Sequence, residues 1–182
     1  MQKKFIALAV AGLVSGAAFA QSNVQVYGVA DVGFQSTKQD GFERSNQINS
    51  GRLSTSRIGF KGQEDLGNGL KAIFTLEYGL GMDNNTGIGA AGQARQQFVG
   101  LTGGFGTAVA GRLQTTAYDW AVKYDVLAGT AISPLQNVNA SGAPFIIGAT
   151  TAGARANNAF AYISPSFGGV TFAYNRAQLV EE

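Results

Sequence analysis

Between Ser56 and Tyr78 the chain alternates polar and apolar side chains through two arms, separated by Asp65-Leu66-Gly67-Asn68-Gly69. Successive side chains on a strand point to opposite faces, so the first arm sets Arg57, Gly59 and Lys61 against Ile58, Phe60 and Gly62. The second arm repeats the division, with Lys71, Ile73, Thr75 and Glu77 opposed to Leu70, Ala72, Phe74, Leu76 and Tyr78. A Gly/Asn/Asp cluster between two such arms predicts a tight turn, and hence a hairpin with one apolar and one charged face. Strands of a soluble sandwich alternate in the same way, so this hairpin alone leaves sandwich and membrane barrel both open.

The same period recurs along the chain and predicts seven strands. The first is Val24 to Phe34, with Gln25, Tyr27, Val29, Asp31 and Gly33 on its inward side, followed by a polar loop from Thr37 to Gly51. After the hairpin, a Gly-rich loop from Gly79 to Ala94 leads to strands at Arg95–Thr102 and Thr107–Leu113, joined by Gly103-Gly104-Phe105-Gly106. A long insertion, 115–154, separates these from strands at Arg155–Ser164 and Val170 to about Ala177, joined by Pro165-Ser166-Phe167-Gly168-Gly169. Short turns thus fall at Asp65, Gly103 and Pro165, with long connections between them. Strands near the roughly 9–11 residues of a tilted transmembrane strand, with loops sorted by length, make the pattern of an outer-membrane β-barrel. A soluble sandwich has no reason to sort its loops.

Composition moves the same way. Lys3 and Lys4 precede an apolar run from Phe5 to Val14, and Ala18-Phe19-Ala20 has the small-x-small form of a signal-peptidase site, so residues 1–20 are expected to be an export signal. The run is too short for a spanning helix, which needs about 20 apolar residues. Without it, the basic and acidic residues balance at eleven each, and no nucleic-acid partner is expected. The chain has no cysteine and no histidine, which removes disulfide stapling, Ser-His-Asp and Cys-His catalysis, and most zinc or copper sites. No enzymatic activity, metal or cofactor is expected. Gly87-Ile88-Gly89-Ala90-Ala91-Gly92 has the spacing of a dinucleotide fingerprint, but it follows a polar run instead of a strand and lacks the distant acidic residue.

Three segments then carry a resemblance. SRIGFKGQEDLGNGLKAIF, QFVGLTGGFGTAVAGR and YISPSFGGVTFAYN, in this order, resemble the general porins of Gram-negative bacteria, of the type found in beta-proteobacteria and Neisseria. The resemblance implies an all-β fold, an antiparallel 16-stranded transmembrane barrel, with about seven of those strands in this chain. It implies an outer-membrane, usually homotrimeric, water-filled channel for passive diffusion of small hydrophilic solutes and ions. The seven strands are about half such a barrel, and the chain lacks the terminal aromatic of the family's last strand, so residues 21–182 are expected to be the N-terminal portion of a longer barrel, a fragment. Insertion 115–154 stands where these porins fold a constriction loop into the lumen, and Thr116 to Leu127 has the apolar spacing of a short helix lying against the wall.

Matching by motif places Arg57, Arg95 and Arg155 in the basic cluster of the constriction, and each is expected on the inward parity of its strand. Arg112 closes its strand beside the base of the loop, and Lys61, Lys71, Glu77 and Asp31 are further lumen-facing candidates. The acidic counterparts implied are Asp119, which matches the family's loop start, and Asp125, a looser match. Opposed charges across a narrow aqueous opening orient dipolar solutes and set ion preference. More basic than acidic groups implies mild anion selectivity. Two other functions stay open: a structural or adhesive outer-membrane barrel whose long loops bind a partner, and, more remotely, an outer-membrane hydrolase.

Overall fold

In the computed structural model, the residues described are 23–88, 90, 94–127, 130, 133, 134 and 154–177. The expected export signal, 1–20, and residues 135–153 of the insertion lie outside them.

Seven strands form one antiparallel sheet: β1 (Asn23–Val29), β4 (Arg57–Gly67), β5 (Leu70–Gly79), β6 (Ala94–Gly103), β7 (Gly106–Gln114), β8 (Arg155–Ile163) and β9 (Ala173–Ala177), neighbouring in that order. A separate two-stranded sheet pairs β2 (Val32–Thr37) with β3 (Ser45–Ser50), and a helix, α1 (Thr116–Tyr124), follows β7. Up-and-down order with strands of about ten residues is what tight turns alternating with long loops must build.

Two expectations need correcting. The first strand does not run unbroken to Phe34: the chain leaves the wall after Val29, bends at Ala30-Asp31, and resumes as β2. The expected polar loop 37–51 contains β3, which pairs with β2 from Val32–Ser50 to Thr37–Ser45. Its sequence, Ser-Asn-Gln-Ile-Asn-Ser, has one apolar side chain, so no hydrophobic period marks it; pairing with β2 makes it a strand.

The hairpin register keeps the expected faces together, with Arg57 opposite Gly79, Gly59 opposite Glu77, Lys61 opposite Thr75 and Ile58 opposite Tyr78. Following cross-strand partners, the face of Glu77 and Thr75 continues through Phe98, Gly111, Ala159 and Ala177. The opposite face carries Val24, Val26, Val99, Leu101 and Phe160, all exposed, Val99 at 65%. A sandwich would cover one face with a second sheet. Here the buried apolar side chains among the described residues are only Leu113, Ala121, Ala154 and Ala159. Such a wall has no soluble core, and its apolar outer face suits lipid or a neighbouring subunit.

α1 begins at an N-cap, Thr115, whose hydroxyl accepts from the Tyr118 N–H at 3.2 Å. The Thr115 N–H donates to the Ala154 carbonyl at 3.0 Å, closing the base of the insertion. The helix contacts β9 and, through Thr116 and Asp119, edges a cleft of about 420 Å³ lined by Phe98, Val109, Ala161 and Asn175. It therefore lies on the Glu77 face.

Candidate functional site

Glu77, on β5, is buried at 5% exposure and gathers three side chains from three strands. Arg95 Nε donates to its Oε1 at 2.7 Å, Arg57 Nε lies 3.6 Å from its Oε2, and the Tyr27 hydroxyl donates to Oε2 at 3.0 Å. A buried carboxylate needs such partners, since isolated burial of a charge is costly. Tyr27 can reach it because Gly59 stands between them: a Cβ there would lie 2.3 Å from the tyrosine Cζ. Lys61 also sits over this ring, its Nζ 5.3 Å from the centroid.

The placing of Arg95 depends on an irregularity. Strict alternation along β6 would put it with Val99 and Leu101 on the outer face, contrary to the inward parity expected for it. The β5–β6 register shifts between Leu76 and Tyr78, and this extra residue turns Arg95 towards Glu77. A second shift, between Gly111 and Leu113, falls beside Asn158, whose φ is 49°, and breaks the alternation between Ile163 and Arg155.

Arg155 opens β8 opposite Gln114, and its guanidinium carbon lies 5.7 Å over the Tyr118 ring of α1. Its Nε and Nη2 are buried without a hydrogen-bond partner among the described residues. Arg95, Arg112, Glu77 and Tyr118 all act on it electrostatically, which gathers the four arginines' charge near the long-loop end of the wall. Arg112 itself pairs in register with Gln97, and its guanidinium is occupied by the Ala94 carbonyl at 3.0 Å and by Asn157 Oδ1.

The remaining candidates stand apart. Asp119 accepts from the Gln114 side-chain amide, and Asp125 accepts from the Leu127 N–H at 2.9 Å and from the Ser133 hydroxyl. Among the described residues the ion pairs are Arg57–Glu77 and Arg95–Glu77, so neither aspartate pairs with an arginine. Lys71, opposite Asp65 and Thr102, is near the short-turn end. Asp31 lies beyond β1 and binds backbone N–H groups of residues 52–54. Tyr27 and Asn157 were not among the candidates. Tyr27 could have been found, since it lies at the centre of the inward row and faces a glycine.

The profile of the Gram-negative porin family matches residues 7–177. The chain belongs to that family. It is 37% identical over 180 residues to outer membrane porin protein 32 of Delftia acidovorans, covering 97% of this chain and 50% of that protein. It is 42% identical over 127 residues to the major outer membrane protein P.IB of Neisseria gonorrhoeae, covering 63% and 33% of the two chains. Among solved structures, an anion-selective porin from Comamonas acidovorans superposes with a TM-score of 0.69 at 32% identity, covering 86% of this chain and 47% of that one. The trimer form of OmpT from Vibrio cholerae, at TM-score 0.58 and 17% identity, shares the fold. The chain spans about half the length of the curated relatives it matches first. Family and fold place it as porin β-barrel wall in the outer membrane of a Gram-negative cell.

Proposed function

We propose that this chain forms one side of a water-filled outer-membrane channel for passive diffusion of small hydrophilic solutes and ions, with a preference for anions. The observation that carries the reading is the charge balance of the inner face beside α1: Arg57 and Arg95 share a single buried acid, Glu77, and Arg155, with Arg95, Arg112 and Glu77 within electrostatic reach, has no acid bound to it. Asp119 and Asp125, the expected acidic counterparts, bond to neutral donors, Asp119 to Gln114 at the end of β7 and Asp125 to Leu127 and Ser133, and so keep their charge without pairing with an arginine. Four arginines against three carboxylates still leave an excess of positive charge beside the helix. Such an excess lowers the barrier for anions and raises it for cations. In lipid the open edges of β1 and β9 need hydrogen-bonding partners, so a closed pore includes strands beyond this sheet. The homotrimer is the expected assembly, with the exposed outer face meeting lipid and sister subunits.

Reconstitution into planar bilayers tests this. Stepwise conductance with a reversal potential favouring chloride over potassium is expected; a potassium preference overturns the anion assignment. A second reading, a barrel whose loops bind a partner, draws on the β2–β3 hairpin, where Phe34, Phe42 and Ile48 are exposed beyond the end of the wall. Absence of conductance steps would favour it.

A further inference from the structure

Asp31 stands in the bend between β1 and β2, and both of its carboxylate oxygens face one strap of backbone. Oδ1 accepts from the Arg52 N–H at 2.9 Å, and Oδ2 accepts from the N–H groups of Leu53 and Ser54 at 3.0 and 2.8 Å. The main chain of the same residue is fastened too. Its N–H donates to the Ser56 hydroxyl at 2.9 Å, and its carbonyl accepts from that hydroxyl and from the Gly51 N–H, both at 2.8 Å. Residues 51–56 are thus wrapped around a single aspartate.

No apolar side chain anchors this strap, since Leu53 is 70% exposed. Its shape rests on hydrogen bonds, and the bonds to an ionised carboxylate are about twice as strong as neutral ones. Arg57 follows directly. One of its terminal nitrogens, Nη1, donates to the Ser54 hydroxyl at 3.0 Å and to the Thr55 carbonyl at 2.9 Å, while Nε faces Glu77 at 3.6 Å. Both acceptors on the Nη1 side belong to the strap that Asp31 holds. Asp31 makes no ion pair with Arg57 itself; its oxygens point at backbone.

We propose that Asp31 is a positioning residue for Arg57: by clamping residues 52–54 it fixes Ser54 Oγ and Thr55 O, which set where the guanidinium stands on the inner face and how it is shared with Glu77. The consequence for ion preference rests on the channel reading above; the placement of the side chain does not. The competing role for Asp31 is that of a plain negative charge near the ion path, which would act equally whether or not Arg57 is present.

Two measurements on the full chain separate these. In micelles, Asp31→Asn is expected to speed amide hydrogen exchange at Arg52, Leu53 and Ser54 and to shift the Arg57 Nε–H resonance more than that of Arg95, which shares the Glu77 carboxylate. Faster exchange in the strap with an unmoved Arg57 resonance overturns the proposal. In bilayers, Asp31→Asn should change the chloride-to-potassium permeability ratio about twofold or more in the native background and not in Arg57→Gln, as expected for groups sharing one hydrogen-bond network. Equal changes in both backgrounds, or none in either, overturn it. Ser54→Ala leaves the Asp31 charge in place and removes one acceptor; it should shift the Arg57 resonance in the same direction as Asp31→Asn. Should the native chain give no conductance, the channel reading fails while the resonance measurement still decides the role of Asp31.

Discussion

Arg95 reaches the Glu77 carboxylate at 2.7 Å from a strand position that strict alternation would turn to the opposite face. The extra residue between the Leu76 and Tyr78 registers makes the contact, and with Arg57 on the other oxygen it leaves one buried acid facing two cations. Removing the acid while leaving the cations has two separable consequences. Glu77→Gln should raise the preference for chloride, since it deletes the one acid paired with the arginines. It should also destabilise the folded wall by about 2 kcal/mol, through unmatched arginines in a half-buried site. Reversal potentials and urea unfolding of the folded protein in detergent check the two outcomes.

Arg155 differs from Arg57 and Arg95 in having no acid bound to it: its Nε and Nη2 lack partners among the described residues, and Tyr118 covers it from α1. Arg155→Gln should therefore lower the chloride-to-potassium ratio more than Arg57→Gln or Arg95→Gln does. Equal effects from the three variants would show that pairing with Glu77 does not attenuate the other two charges.

Gly59 is open space held for Tyr27. A Cβ would stand 2.3 Å from the ring, and the tyrosine would have to leave the Glu77 carboxylate. Gly59→Ala should cost about 1–3 kcal/mol, in the range for overpacking a close contact. The loss should be smaller when Tyr27→Ala is already present, which a double-mutant cycle in urea would show.

The carboxyl of Asp31 gives a pH dependence. Desolvation acts to raise its pKa, but the N–H donors of Ser54, Arg52 and Leu53, with the Arg52 charge, outweigh it and hold the group below its ordinary value of 3.8. A lowered folded pKa means that its contribution to stability is complete above the unfolded value and is lost as pH falls through the folded one. Acid unfolding should thus weaken the 51–56 strap only below about pH 4. Asp31→Asn should remove that acid-side dependence from the amide protection factors at residues 52–54 and leave those factors independent of pH.

The two faces of the β4–β5 hairpin were legible because a period of two runs unbroken through both arms, and a turn of Gly, Asn and Asp fixes their register. The helix at Thr116 was legible from its apolar spacing. β3 was not, because Asn46, Gln47 and Asn49 carry no hydrophobic signal and the strand exists through its pairing with β2. The inward side of Arg95, expected from its motif, is reached through a bulge, which a period of two cannot register. The role of Glu77 was hidden for a related reason. Its three partners come from β1, β4 and β6, and only the strand order brings Tyr27, Arg57 and Arg95 to one carboxylate.

The most direct test of an arginine-lined pore wall is single-channel recording across a potassium chloride gradient, with the protein reconstituted in planar lipid bilayers. Stepwise conductance is expected, with a reversal potential on the chloride side that moves towards zero in Arg155→Gln. A reversal potential on the potassium side, or one that Arg155→Gln leaves unchanged, would contradict it.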